Sequence, residues 1–196
     1  MKTKQVVAAG ALSVAICLPG VAMGQGLYVG GAIGGSKFKQ GCDDVPAGLS
    51  CKKTDKGWKG FAGYQITRNW GIEAVGAEFG KVKADGTLLG AGASVEARVW
   101  GWGLAGTGTL PLSREVDLFG KLGVFHGIVE SSGNVGGVTA QISGRSNTAM
   151  VGAGVRWNFW GNWGARLEWE RVNKIGDSTT GTSDADFISV GIEYRL

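Results

Sequence analysis

The chain has one histidine, three prolines and three cysteines in 196 residues, and only 18% of its side chains are charged. A single histidine, His126, excludes a histidine-rich metal centre. With 43% apolar residues against so little charge, a disordered tail is excluded. Beyond the first two dozen residues no apolar run reaches the roughly 18 needed for a transmembrane helix, which excludes a helical inner-membrane protein. What the chain has in excess is glycine, 37 residues. Each interior glycine costs a helix roughly 1 kcal/mol relative to alanine, so long helices are excluded as well. The glycines follow no three-residue period, which removes collagen, and the length suits one domain.

The N-terminus reads as an address. Lys2 and Lys4 precede an apolar stretch from Val6 to Met23, and Ala22-Met23-Gly24 supplies the small residues that a signal peptidase reads. Residues 1–24 are expected to be a cleaved Sec signal and 25–196 a single mature domain. Cys17 does not make a lipoprotein, because Ile16 before it is too large for that cleavage. Removing the leader takes away two lysines and no acid, so the net charge falls from +4 to +2 and a nucleic-acid partner loses its support. Export also fixes how the two remaining cysteines read: Cys42 and Cys51 close a short polar loop in an oxidising compartment and are expected to form a disulfide.

The mature chain alternates with period two. Trp58, Gly60, Ala62, Tyr64 and Ile66 oppose Lys59, Phe61, Gly63 and Gln65. Val151, Ala153, Val155, Trp157 and Phe159 oppose Gly152, Gly154, Arg156 and Asn158; Trp163, Ala165, Leu167 and Trp169 oppose Gly164, Arg166, Glu168 and Glu170. Similar runs start at Leu27, Ile72, Trp100, Val116 and Ile188, which makes eight strands at about 21 residues per strand and connection, the spacing of a small outer-membrane barrel. Three connections are tight, at 67–69, 112–115 and 160–162, and four are long and polar, at 39–54, 84–93, 131–146 and 177–185. Short turns at one end and long loops at the other match periplasmic and extracellular ends.

Polarity decides between a soluble and a membrane barrel. One face is apolar and aromatic; the other carries Lys59, Glu73, Lys121, Arg156, Arg166, Glu168, Glu170, Glu193 and Arg195. Trp70, Trp160 and Trp163 lie beside the tight turns, whereas Trp58, Trp100, Trp102 and Trp169 fall toward the long-loop end. Two aromatic girdles mark a membrane barrel, so the charged face is the inside. The fold class is therefore all-β, an eight-stranded antiparallel transmembrane β-barrel of the outer-membrane type.

Phe61-Ala62-Gly63-Tyr64-Gln65, Gly71-Ile72-Glu73, Asp117 to Gly123, Arg166-Leu167-Glu168, Asn173 to Asp177 and the ending Val190 to Leu196 resemble, in order and spacing, the transmembrane domain of the outer membrane protein A family. The resemblance implies an integral outer-membrane protein with structural and surface-interaction roles. It further implies contact with outer-membrane lipid and lipopolysaccharide, extracellular ligands at the loops, a monomer, and folding by the barrel assembly machinery. Ser189, Gly191, Tyr194 and Leu196 resemble the assembly signal of such barrels, with Leu196 in place of the usual terminal Phe. The family's periplasmic peptidoglycan-binding domain is not expected, because the sequence stops at the last strand.

The resemblance also implies a lumen ion pair between Glu73 and Arg166 that plugs the barrel and can switch partners to open a narrow pore. The family's second Lys–Glu pair falls on Thr107 and Arg156 and is lost, so Arg156 must find another acid, Glu168 or Glu73. Lys121 and Glu168 join these as lumen candidates. The plain alternative is a static network, since lone buried charges are costly and side chains largely fill eight-stranded barrels. No catalytic residue, cofactor or metal site is expected. Lipid A-modifying barrels of the deacylase type carry His-x-Ser on a strand, but here His126 is followed two residues on by Ile128. Gly101-Trp102-Gly103-Leu104-Ala105-Gly106 matches a dinucleotide-binding motif by chance, since more strand follows where a helix is required.

Overall fold

The computed structural model describes residues 26–39, 49–52, 54–88, 91–135, 138–177 and 181–196. Among these residues nine strands occur in chain order: β1 (Leu27–Phe38), β2 (Leu49–Lys52), β3 (Thr54–Gln65), β4 (Trp70–Leu88), β5 (Ala91–Pro111), β6 (Val116–Val135), β7 (Val138–Trp160), β8 (Trp163–Asp177) and β9 (Gly181–Arg195). Every pairing is antiparallel. β1 pairs with β3 on one side and with β9 on the other, from Tyr28↔Arg195 to Phe38↔Ala185, which closes eight of the strands into a barrel. The four-residue β2 stands outside the closed ring and pairs with the far end of β4.

The alternation of the sequence becomes the wall of the barrel. All eight tryptophans face outward together with Ile33, Leu104, Leu122, Leu167, Ile188 and Val190, while Lys59, Glu73, Lys121, Arg156, Arg166, Glu168, Glu170 and Glu193 are buried inside. Trp160 is 76% exposed and Arg166 2%, the reverse of a water-soluble barrel. In hydrocarbon the closed ladder leaves no strand edge unpaired.

The two ends are built differently. In the turn after β3, Thr67 Oγ1 accepts from the backbone N–H groups of Asn69 and Trp70, at 3.3 and 3.0 Å. Ser113 Oγ repeats the device for Glu115 and Val116, at 3.2 and 3.0 Å. Such hydroxyl-closed turns are compact and keep this end short. The turn from β7 to β8 uses Gly161 in the left-handed region (φ 52°). At the opposite end β5, β6 and β7 run 21, 20 and 23 residues, about twice the roughly 9–11 that spanning requires. The segments 84–93, 131–146 and 177–185, read from sequence as loops, are therefore in large part continuous hairpin: Lys81 to Leu88 pairs with Arg98 to Ala91, and Ser131 to Val135 with Ile142 to Val138. Within 39–54 the structure adds β2. Their polar composition coexists with a continuous ladder.

A bulge between Glu78 and Gly80, with Gly80 at φ 84°, re-registers β4 where it leaves the apolar band. The bulge takes the Phe79 carbonyl out of the ladder, and the buried Ser36 hydroxyl donates to it. Asp55 pins the other side, accepting from Lys81 N at 2.8 Å and Lys56 N at 2.8 Å.

Candidate functional site

Among the described residues the lumen holds four buried cations, Lys59, Lys121, Arg156 and Arg166, and four buried carboxylates, Glu73, Glu168, Glu170 and Glu193. They neutralise one another, as burial away from water demands. Arg166 on β8 holds Glu73 on β4 through two parallel bonds, Nη1 to Oε2 at 2.6 Å and Nη2 to Oε1 at 3.2 Å, the bidentate geometry that Arg favours. Its Nε lies 2.9 Å from Glu168, and its guanidinium lies over the rings of Phe119 and Phe61, 4.2 and 4.5 Å from their centroids. Lys121 on β6 reaches three carboxylates: Glu170 at 2.5 Å, Glu168 at 2.7 Å and Glu73 at 3.2 Å. Lys59 on β3 contacts Glu168 at 2.5 Å and also Glu170. Tyr28 on β1 donates its hydroxyl to Glu73 at 3.0 Å.

The structure thus brings Glu73, Arg166, Lys121 and Glu168 into one network. Arg156 is the correction. Its Nε lies 2.7 Å from Glu193 on β9, and neither Glu73 nor Glu168 is its partner. Parity placed all of these groups inside, but the heights at which they meet depend on strand tilt and stagger, which parity does not carry. Thr107, also inside, has a buried hydroxyl without a hydrogen-bond partner among the described residues.

A second lumen feature was missed from sequence. Toward the extracellular end, Phe79, Phe125 and Phe187 pack edge to face, with Phe79 5.5 Å from each of the other two. Phe38, Met150, Val172, Ile175 and Ala185 bury themselves around them. The signal was available: Phe79 shares its strand parity with Glu73, Phe125 with Lys121 and Phe187 with Glu193. The barrel interior is consequently in two parts, a charged middle and an apolar lock above it.

Glycines on the inner face make room for these large side chains. A Cβ at Gly63 would collide with the Tyr28 ring, one at Gly154 with Phe119, and one at Gly103 would come within 3.0 Å of Phe125.

Of the remaining sequence candidates, Cys42 and the side chain of Cys51 lie outside the described residues, as does the leader 1–24; the backbone of Cys51 is in β2, opposite Ala84. On β9, Ser189 is buried inside, Tyr194 stacks 4.9 Å from Trp163, and Leu196 is exposed beyond the strand. Gly191 abuts the Gly31 carbonyl and Ala32 so closely that no side chain fits. His126 faces outward, its Nδ1 2.7 Å from Asn147 Oδ1 and its ring 5.5 Å from that of Trp102. Gly101 to Gly106 lie within continuous strand β5.

A closed eight-stranded wall with inverted polarity and an ion-paired lumen is the architecture of outer-membrane barrels, and the sequence agrees. Residues 23–196 match the model of the OmpA-like transmembrane domain. The chain belongs to that family. Outer membrane protein A of Yersinia pseudotuberculosis serotype I (strain IP32953) is 25% identical over 173 residues, 86% of this chain and 48% of that protein. The chain thus spans about half the length of the curated relatives it matches. In fold it is similar to OprG from Pseudomonas aeruginosa, with TM-score 0.56 at 14% identity over 88% of this chain and 96% of that one. It is also similar to Ail, the attachment invasion locus protein of Yersinia pestis, with TM-score 0.55 at 17% identity over 88% and 97%. Ail has also been solved in complex with the heparin analogue sucrose octasulfate, a structure that superposes with TM-score 0.52 at 16% identity over 87% of this chain and 99% of that one. As a member of the OmpA-like family, this protein is an integral β-barrel of the cell outer membrane, with short periplasmic turns and longer extracellular hairpins.

Proposed function

We propose that this OmpA-like barrel serves the envelope as a structural and surface-interaction protein rather than as a catalyst. The observation that carries this is the doubly closed lumen: a neutral network of four cations and four carboxylates below an aromatic lock. The long extracellular hairpins are then the working surface, and Ail, bound to a heparin analogue, is a barrel of this fold that engages a ligand. His126 sits at the outer rim hydrogen-bonded to Asn147, without the nucleophile that lipid A deacylation would need. The β9 ending at Leu196 is the segment read by the barrel assembly machinery, residues 1–24 are the cleaved Sec leader, and the barrel acts as a monomer among lipid and lipopolysaccharide.

A low-conductance pore is the second reading, favoured by one feature. Lys121 and Arg166 share Glu73 and Glu168 as partners, so the network has alternative pairings at equal charge. Single-channel recording of the refolded barrel separates the two. Silence in both the native protein and Glu73→Ala supports the closed scaffold; discrete current steps that change on Glu73→Ala support the pore.

A further inference from the structure

Below the ion network, on the periplasmic side, lies a cavity of about 410 Å³ with arginines from four places in the fold on its walls. Arg68 comes from the turn after β3, Arg114 from the turn after β5, Arg156 from β7 and Arg195 from the end of β9. Asp117 is the one acid lining it. That carboxylate is already engaged, accepting from Asn158 Nδ2 at 3.2 Å and lying 3.5 Å from Arg195 Nη2. Arg156 is matched by Glu193 beneath the floor. Arg195 also lies 3.7 Å from Glu193, whereas Arg68 and Arg114 make no ion pair among the described residues, so two of the four arginines have no carboxylate partner there. On the wall, Thr109 is more than nine-tenths buried and its hydroxyl oxygen has no hydrogen-bond partner among the described residues.

We propose that this vestibule binds a phosphate-class anion presented from the periplasmic side. Guanidinium forks match phosphate oxygens, and a phosphate monoester near neutral pH carries close to the two negative charges that Arg68 and Arg114 leave unmatched. The fixed polar partners are at hand in Asn158 and Thr109, and Arg156, held over the Tyr28 and Phe119 rings at 5.4 Å, gives the floor a rigid cation. The volume exceeds that of bare phosphate and suits a small ester such as a glycerol phosphate. The aromatic lock and ion network above make the periplasm the side of entry. A soluble phosphate monoester and the monoester headgroup of phosphatidic acid in the inner leaflet share this chemistry.

The test is calorimetric titration of the refolded barrel, in zwitterionic lipid nanodiscs at low salt, with inorganic phosphate and with glycerol 3-phosphate. Saturable binding is expected, weakened roughly tenfold or more by Arg68→Gln/Arg114→Gln and unchanged by Arg145→Gln at the extracellular end. Both substitutions in the double variant fall in solvent-exposed turns, and a heat-modifiable gel shift verifies that the barrel still folds. Repeating the titration in nanodiscs containing phosphatidic acid identifies the source. Competition by the lipid assigns the site to a headgroup and undiminished affinity assigns it to a soluble ester, each supporting the site. Absence of saturable binding, or binding that survives Arg68→Gln/Arg114→Gln, overturns it.

Discussion

Arg166 and Glu73, distant in sequence and on strands that do not adjoin, meet across the barrel through two parallel hydrogen bonds of 2.6 and 3.2 Å, shielded from water. Neither charge could stay there alone. Glu73→Gln would leave four cations facing three carboxylates, and breaking a buried pair from one side costs about 3–5 kcal/mol. The double variant Glu73→Gln/Lys121→Met returns the lumen to three of each sign and is expected to recover most of that loss. Urea unfolding in detergent micelles, followed by tryptophan fluorescence, measures both. A double variant no more stable than the single would show that specific geometry, and not neutrality, governs the lumen.

Gly63 faces the lumen and Gly76 faces outward. Tyr28 occupies the space over Gly63 while donating to Glu73, so a methyl group there must displace a ring that is tied down. Gly63→Ala is expected to cost about 1–3 kcal/mol, the range for overpacking. Gly76→Ala on the outward face, where an added Cβ meets nothing within 4 Å, is expected to be neutral or slightly stabilising, since alanine loses less chain entropy on folding. Paired unfolding midpoints decide it; equal effects at the two positions would remove the packing role assigned to Gly63.

The contrast between those two glycines shows what the sequence carries and what it does not. Facing is legible, because lipid and lumen select opposite polarities and a strand alternates between them, with inward Phe61 the exception between Trp58 and Gln65 and none between Trp163 and Glu170. The tight turns at 67–69, 112–115 and 160–162 are legible from the short spacing between alternating runs, whereas the closing hydroxyls of Thr67 and Ser113 are seen only in the structure. Height around the barrel was not legible. Arg156 meets Glu193, and Phe79 meets Phe187, only after tilt and stagger slide the strands past one another. The hairpins at the extracellular end were also illegible, since the polar, glycine-rich sequence of 84–93 and 131–146 carries no clear period-two contrast of polarity.

Outside the apolar band, Arg171 and Asp186 pair across β8 and β9, Nε to Oδ1 at 2.7 Å and Nη2 to Oδ2 at 2.9 Å. These hydrogen bonds, first among the causes, hold the Asp186 carboxyl below the usual aspartate range. A carboxyl lowered in the folded state stabilises the fold at pH values above its unfolded pKa, about 3.9, and the contribution disappears as pH falls through the lower folded value. Carbon-detected NMR titration is expected to place Asp186 below an ordinary aspartate, and Arg171→Gln to return it to the ordinary range. An Asp186 midpoint indifferent to Arg171→Gln would refute the assignment.

Two layers of side chains close the lumen. The ion network and the Phe79–Phe125–Phe187 lock lie one above the other, so they oppose ion flow as resistances in series, and relieving either alone leaves the other in place. Glu73→Ala frees Arg166 and Lys121 to pair more closely with Glu168 and Glu170 but does not touch the aromatic rings. Phe79→Ala/Phe187→Ala empties the lock at about 3–5 kcal/mol for each ring removed, yet the charged layer below it remains closed. Bilayer recordings are therefore expected to be silent for Glu73→Ala and for the Phe double variant, and to show current steps only when all three substitutions are combined, in barrels whose heat-modifiable gel shift verifies folding. Steps from Glu73→Ala alone would mean that the aromatic cluster opens spontaneously on the timescale of recording, and the lock would then be packing rather than a barrier.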